Sequence, residues 1–360
     1  MDDEDPLILM LHNVEQDVTC GDPKDLIAIQ DTASVAMHLK DALDSCGYHT
    51  IPIIVKNSLD DLKESLRPFS PKTAFVFNFC DGFGGNNLDA TKVIHLIEKL
   101  GFRHTGSSAR TNMICIDKSL TKARLNVTGI PTPAYQIFTK PGGFYLHQYP
   151  AMVKPAWDDA SIGIDLKSVV TNQEELKSRV EYILATYHQP ALVEEFIGGR
   201  ELSVSLWGNK HVKVLPITEM DYSSIANPLE HILSYDSKWV PESYYYQNIY
   251  SRCPAILTGQ DKWNVMEVAI RAYKKMGLFD FGRVDIRYFN RIPYIIDINE
   301  IPDLAPGSGF PNAALHAGYS YPRMVEHILK LAMEREKWQN PQMTLNSSSR
   351  LQRTALPSWK

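Results

Sequence analysis

Phe281-Gly282-Arg283-Val284-Asp285-Ile286-Arg287 and, after a short link, Tyr294-Ile295-Ile296-Asp297-Ile298-Asn299-Glu300 both read as β-strands. Val284, Ile286 and Tyr288 alternate with Arg283, Asp285 and Arg287, and Ile296 and Ile298 alternate with Asp297 and Asn299. That two-residue period marks half-buried strands. The link Phe289-Asn290-Arg291-Ile292-Pro293 is short enough for a hairpin, which would set Asp285, Asp297 and Asn299 on one face of neighbouring strands. Two carboxylates and an amide oxygen are hard donors that suit Mg²⁺, an ion that takes few protein ligands and leaves positions for phosphate and water. Arg283 beside them suits the same anionic ligand. An exposed hairpin whose polar edge only meets water would show the same alternation.

The 360 residues leave room for two or three domains around one cleft, and 44% hydrophobic with 22% charged residues is ordinary for a globular protein. A net charge of −5 offers no electrostatic case for nucleic acid or an anionic membrane as main partner. No apolar run approaches the ~20 residues of a membrane helix. The acidic opening Met1-Asp2-Asp3-Glu4-Asp5 is unlike the basic start of a signal peptide, so a cytoplasmic location is expected. Cys20, Cys46, Cys80, Cys115 and Cys253 are odd in number, widely spaced and without a CxxC pair. They read as reduced thiols rather than as a disulfide framework or zinc site.

The first third alternates strand and helix signals: strands over 7–11, 51–55 and 74–79, and a helix over 31–46 closed by Gly47. This order implies parallel βαβ units in an open α/β sheet. Ligands of such sheets sit at the carboxyl ends of the strands, where Asp81-Gly82-Phe83-Gly84-Gly85-Asn86-Asn87 falls. A second unit begins near Met113, with a helix carrying Asp117-Lys118-Ser119-Leu120-Thr121-Lys122 that Gly129-Ile130-Pro131-Thr132-Pro133 ends. Strands over 151–155, 163–166 and 169–170, a helix over 173–188 and a strand over 191–197 follow. Half-buried antiparallel strands are expected over 202–206 and 212–216, then a helix over 261–276, the acidic hairpin, a Gly/Pro loop over 302–311 and a helix over 321–338. The expected fold is α/β with an α+β C-terminal half. Its expected divisions are an N-terminal α/β domain (1–112), a central unit (113–200), a C-terminal unit (201–338) and a poorly ordered tail (339–360).

Several segments suggest nucleotide chemistry. Lys154 ends an apolar strand before Pro155, where it can set a point charge on a phosphate. The loop Asp158-Asp159-Ala160-Ser161-Ile162-Gly163 is small enough to close over phosphates with its N–H groups, and Lys118 would be a second cation. After the strand, Glu194-Glu195-Phe196-Ile197-Gly198-Gly199-Arg200-Glu201 can offer a strand edge to adenine while Glu194 or Glu201 accepts from the base or ribose. Tyr235-Asp236-Ser237-Lys238-Trp239 reads as a flap that could bring Lys238 to a γ-phosphate. Turns, solvated lysines and solvated glutamates would account for each segment singly. Neither a P-loop nor a GxGxxG after the first strand is present, so phosphates would need dispersed lysines, a flexible loop and a metal.

Taken in order, Asp117-Lys118 with Lys122, Gly129–Pro133, Val153-Lys154-Pro155, Ser161-Ile162-Gly163, Glu194–Ile197 with Glu201, Tyr235–Lys238, Arg283-Val284-Asp285 and Asp297-Ile298-Asn299 form a series over residues 75–330. That series resembles the ATP-grasp superfamily, most closely its D-alanine–D-alanine ligase branch. The resemblance implies three domains with ATP between the central and C-terminal sheets. It implies Lys118, Lys154 and Ser161 on the ATP phosphates, Glu194, Glu195, Phe196, Ile197 and Glu201 on adenine and ribose, and Lys238 at the γ-phosphate. It further implies Mg²⁺, replaceable by Mn²⁺, on Asp285, Asp297 and Asn299. Arg283 would stabilise the transferring phosphoryl group, and Ser308 would hold the second substrate's carboxylate. Asp297 stands where the family usually has glutamate. The implied reaction activates a carboxylate as an acyl phosphate, which an amine then attacks.

The departures lie on the substrate side. Glu15 follows the first strand in an altered setting, Asp81 stands in place of a histidine, and Ala160 in place of a serine. Trp239 follows Lys238 where tyrosine is usual, Asp303 replaces glycine, and Gly309 replaces a bulky aliphatic residue. Gly309 opens room for a larger acceptor, while Asp81 and Asp303 add charge for an ammonium or hydroxyls. The expectation is therefore a ligase joining an amino acid to another amino acid or small acid in specialised metabolism, the mycosporine-type amino-acid ligases being one candidate. The alternatives are a cell-wall D-alanine–D-alanine ligase, a catalytically silent nucleotide-binding protein and a phosphotransferase on the same fold. Relatives of this kind are often dimers, so a homodimer is compatible with the resemblance.

Overall fold

A computed structural model describes residues 6–15, 18, 20–56, 58–83, 87–143 and 148–339. Gly84-Gly85-Asn86 of the glycine loop and the tail beyond residue 339 lie outside them. Three sheets carry the architecture. The first is parallel, in the order β2 (Thr50–Val55), β1 (Leu7–Asn13), β3 (Ala74–Phe79), β4 (Arg103–His104). Ile8 and Met10 of β1 pack with Phe75 and Phe77 against helix α1 (Leu26–Ser45), while Leu9 and Leu11 pack with Val76 against Val93 and Ile97. Cover on both faces explains the unbroken apolar runs in this sheet.

Helix α1 starts five residues ahead of the expected position. The 3₁₀ turn Pro23–Asp25 is N-capped by Asp22 in a reciprocal capping box and feeds directly into the helix, so Asp22-Pro23 is the true start signal. Helix α2 (Ala109–Ile116) crosses the expected boundary at 112/113. Cys80 is buried, and burial pushes its thiol well up, as befits a reduced structural thiol.

The second sheet is antiparallel, ordered β5 (Tyr135–Phe138), β8 (Ala191–Glu195), β6 (Ala151–Pro155), β7 (Val169–Val170), with helix α3 (Gln173–Thr186) against it. The strand expected over 163–166 is absent from the described structure. Buried Arg179 of α3 instead gathers this segment, donating to the Gly163 carbonyl (2.7 Å), Asp165 (3.0 Å) and Ser168 (2.8 Å). Satisfying a buried guanidinium outweighs strand pairing here. Gly163 is obligatory at this turn: its φ is +68°, and a Cβ would sit 2.5 Å from the Pro155 ring.

The third sheet runs β12 (Tyr250–Arg252), β11 (Thr218–Asp221), β9 (Arg200–Trp207), β13 (Phe281–Phe289), β14 (Ile292–Asn299), with β10 (Lys213–Val214) beside β9. The expected 212–216 strand shrinks to those two residues. Helix α4 (Gly259–Met276) supplies Val265, Val268, Ala269 and Ala272 to the core beneath Val284, Ile286 and Ile298. A buried carboxylate ties the third sheet to the first. Asp280 takes the Gly106 N–H (2.8 Å) and pairs with Arg335 at 3.2 Å. Arg335 in turn donates to the carbonyls of His104 and Gly106. Among the described residues no helix is long and apolar enough to cross a membrane.

Candidate active site

The carboxyl ends of β1 and β3, strands β6 and β8, and the β9–β13–β14 face surround one cavity of about 870 Å³. Across the hairpin, Asp285 lies directly opposite Asp297, and Arg283 opposite Asn299. A bulge past Asp285 makes Ile286 face Ile295, so Ile296 is the extra residue. Arg283, Asp285, Asp297 and Asn299 thus face the cavity while their neighbours enter the core, as the alternation predicts. Asp285 accepts from Ser203 (2.8 Å), from Arg283 Nε and Nη2 (3.0 and 2.9 Å) and from Asn299 Nδ2 (3.2 Å).

That set fits a divalent cation by its chemistry. Asn299 directs its NH₂ to Asp285, which reserves its oxygen as a donor. Burial opposes ionisation of Asp297, but Lys118, Lys154 and Arg283 outweigh it and hold the carboxyl below its usual range. Among the described residues no three His, Cys, Asp or Glu side chains gather as metal ligands, so the candidate set is two carboxylates and an amide.

The lysines form a buried network that sequence reading only partly anticipates. Lys118 opens helix α5 (Lys118–Val127), which Asp117 caps, and its ammonium reaches the Asp158 carbonyl (2.6 Å), Asp159 (3.1 Å) and Asp297 (3.9 Å). Burial works against its charge, yet Asp159 and Asp297 hold it firmly protonated. Lys154 binds Glu194 at 2.8 Å and the Ile296 carbonyl at 3.2 Å. Lys122 binds the other Glu194 oxygen at 2.6 Å and also reaches Thr132 and the Ile295 carbonyl. Burial, with Lys154 beside it, pushes Lys122 down to about 8 despite Glu194.

Glu194 lines the cavity and at the same time is committed to two cations. It is 4% exposed, and its carboxylate brackets two lysines, because two buried ammonium groups need an anion between them. Strand β8 is not a free edge, since β5 and β6 flank it on both sides. Past the strand, Glu195, Phe196 and Ile197 line the cavity, as does Glu201 from β9.

The flap is the short helix Tyr235–Trp239, capped by Ser234. It is latched onto the segment 160–164: Trp239 donates to the Ala160 carbonyl (2.9 Å), the Tyr235 N–H to Ile164 (2.8 Å) and Ser161 Oγ to Leu233 (2.8 Å). Ser161 lines the cavity while its hydroxyl donates to loop closure. Lys238 lines the cavity with no ion-pair partner among the described residues. Burial, then the nearby Arg283, lowers its pKa.

Glu15, Asp81, Asp303, Ser308 and Gly309, the residues expected to meet substrate, all line the same cavity. Asp81 accepts from Thr32 Oγ1 (2.8 Å), and its own N–H is held by Asn13 (3.0 Å). Burial, with Asp159 and Asp303 nearby, raises its carboxyl to about 6 against the Thr32 bond. Ser308 donates to the Asp303 carbonyl (3.0 Å) instead of capping the helix Gly309–His316. A Cβ at Gly309 would meet nothing within 4 Å. Glu300, absent from the sequence expectations, is buried in contact with the Asn112 amide, and burial pushes it to about 8.

Three sheets around a cavity ringed by dispersed lysines, with paired carboxylates on one hairpin, define an ATP-grasp protein. The family model described as D-ala D-ala ligase C-terminus matches residues 125–330. The D-alanine–D-alanine ligase of Desulforudis audaxviator is 31% identical over 301 residues, spanning 82% of this chain and 91% of that protein. The uncharacterized protein y4sG of Sinorhizobium fredii is 30% identical over 82% of this chain and 86% of its own length. The D-alanine–D-alanine ligase of Bacillus anthracis complexed with ATP superposes with a TM-score of 0.70 at 21% identity, covering 93% of this chain and 99% of the other, a likeness of fold. The chain belongs to the D-alanine–D-alanine ligase family, and it is an ATP-dependent ligase that forms a C–N bond.

Proposed function

We propose that this ligase joins an amino acid to another amino acid or small acid through an acyl phosphate, in specialised metabolism rather than cell-wall synthesis. One observation carries the reading: a single cavity has Lys118, Lys154, Lys238 and Arg283 at the hairpin side, and Asp81, Asp303 and the bare Gly309 on the substrate side. In this reading a carboxylate oxygen attacks the γ-phosphorus and ADP leaves. The amine then attacks the activated carbonyl, loses a proton, and phosphate departs. Mg²⁺, when bound to Asp285, Asp297 and Asn299, neutralises phosphate charge. Lys118 and Lys154 hold the phosphates, and Lys238, the cavity lysine without a fixed partner, approaches the γ-phosphate. Arg283 meets the charge that develops on the phosphoryl and carbonyl oxygens. The latch among Trp239, Ala160, Ser161 and Leu233 keeps water from the acyl phosphate. Three domains built on the three sheets, a cytoplasmic location and small-molecule partners belong to the same proposal.

The names of the relatives favour one competing reading, a D-alanine–D-alanine ligase. ADP and phosphate release, with amino acids of both hands and small acids offered singly and in pairs, separates the two. Equal release of ADP and phosphate that requires two different substrates supports the proposal, whereas release with D-alanine alone returns the protein to the cell-wall reaction. The acidic hairpin makes a prediction of its own. Asp285→Asn should raise the Mg²⁺ concentration needed for half-maximal turnover and cut turnover about 100-fold, with little change in thermal midpoint because the side chain borders the cavity. Gly309→Leu should depress activity toward bulky amines before small ones; competition between acceptors of graded size checks this.

A further inference from the structure

The strand that carries Arg283 and Asp285 presents a third polar residue, Arg287, on the same face. It lies four residues beyond Arg283, about 13 Å along a strand, beside Phe196. Arg287 is 5% exposed. It lies across the β9–β13 register from Glu201, which its guanidinium meets at 2.8 Å, and it also donates to the His231 carbonyl. The guanidinium lies over the rings of Phe196 and Tyr222, with centroids at 5.6 and 5.8 Å. Tyr222 stacks on His231 at 5.1 Å and 5°. The Tyr222 hydroxyl donates to Glu201 at 2.6 Å.

The Arg287 ion pair and the Tyr222 hydrogen bond both fall on the same oxygen, Oε2 of Glu201. Its Oε1 has no partner among the described residues, and Glu201 lines the cavity. We infer that Arg287 and Tyr222 are positioning residues that fix the Glu201 carboxylate so that one oxygen reads the ribose hydroxyls, making the site selective for ribonucleotides. The inference rests on the ATP reading of the cavity. A carboxylate accepts hydrogen bonds only, so a sugar hydroxyl is the partner that completes it. A deoxy sugar would leave Oε1 of this nearly buried carboxylate without a hydrogen bond. A single-anchored carboxylate could rotate. Two anchors on one oxygen prevent that, and the two rings keep the guanidinium from swinging away.

The test is calorimetric binding of ATP, 2′-deoxyATP and 3′-deoxyATP to the full chain without a second substrate, followed by steady-state kinetics with each nucleotide. Wild type should bind ATP at least about 10-fold more tightly than one deoxy analogue. Arg287→Met should weaken ATP about 10-fold and move the ATP-to-deoxyATP ratio toward one. In the kinetics KM should rise far more than kcat falls. Arg287→Lys, which keeps the charge but loses the fork, should recover part of the ratio. Tyr222→Phe removes only a hydroxyl and keeps the buried charges paired. It carries the test if Arg287→Met fails to fold, and it should move the ratio in the same direction. Equal affinity of wild type for all three nucleotides would overturn the inference. So would variants that weaken every nucleotide alike. Absence of any nucleotide binding would overturn the ATP reading itself, and this inference with it.

Discussion

Replacing Arg283 by methionine should slow ADP release about 10²- to 10³-fold at saturating ATP, the usual cost of deleting one donor aimed at developing charge. Arg283 is tied to Asp285 through Nε and Nη2 at 3.0 and 2.9 Å. Burial disfavours its charge, but Asp285, Asp303 and Asp297 keep it fully cationic. It therefore stands pre-oriented on the hairpin, on the face that lines the cavity with Lys118, Lys154 and Lys238. Removing it leaves Asp285 with Ser203 and Asn299, a set still satisfied by hydrogen bonds. The fold should survive, and calorimetric ATP affinity should fall far less than turnover. Arg283→Lys restores charge without the planar fork and should recover only part of the rate. A loss below tenfold for Arg283→Met would remove Arg283 from the chemistry.

The second large effect is on stability. Glu194→Gln should destabilise the protein by about 3–5 kcal/mol, because Lys122 and Lys154 would then be buried without a counter-charge. Both ammonium groups lie within 2.8 Å of the Glu194 carboxylate, which burial opposes but the two lysines hold ionised. A fall in thermal midpoint of roughly 4–7 °C is expected. Adding Lys122→Met to Glu194→Gln should recover part of the loss, since one unmatched charge is removed and its stem is replaced by an apolar one. A double variant no more stable than the single one would show that the bracket is not electrostatic. An unchanged midpoint for Glu194→Gln would show that it is not structural either.

The two networks differ in how far they can be read from residues alone. The hairpin is legible because alternation is local: Asp285, Asp297 and Asn299 fall on one face whatever the rest of the chain does. Its bulge at Ile296 is silent in that pattern. A strand ending in Glu-Glu-Phe-Ile reads as an edge whose backbone could meet adenine, with Glu194 or Glu201 as acceptor. Yet β8 lies between β5 and β6, and strand order is a long-range property that no local pattern carries. Lys122 sits within a quoted motif without a role, since its partner Glu194 becomes visible only on folding. The Asn112–Glu300 contact joins residues 188 apart, and no spacing rule anticipates it. At 163–166 apolar alternation predicted a strand, but buried Arg179 claimed the backbone. Periodicity thus locates elements and faces, whereas the pairing of buried charges, which tunes the site, depends on topology.

The most direct test of the account follows oxygen. Amino acids of both hands and small acids, labelled with ¹⁸O in their carboxyl groups, would be supplied with ATP, Mg²⁺ and unlabelled amines, and the phosphate released would be weighed. Activation through an acyl phosphate predicts one ¹⁸O atom in each phosphate, in step with ADP. ADP formed together with phosphate that carries no label would contradict the account, because the carboxylate would never have met the γ-phosphorus.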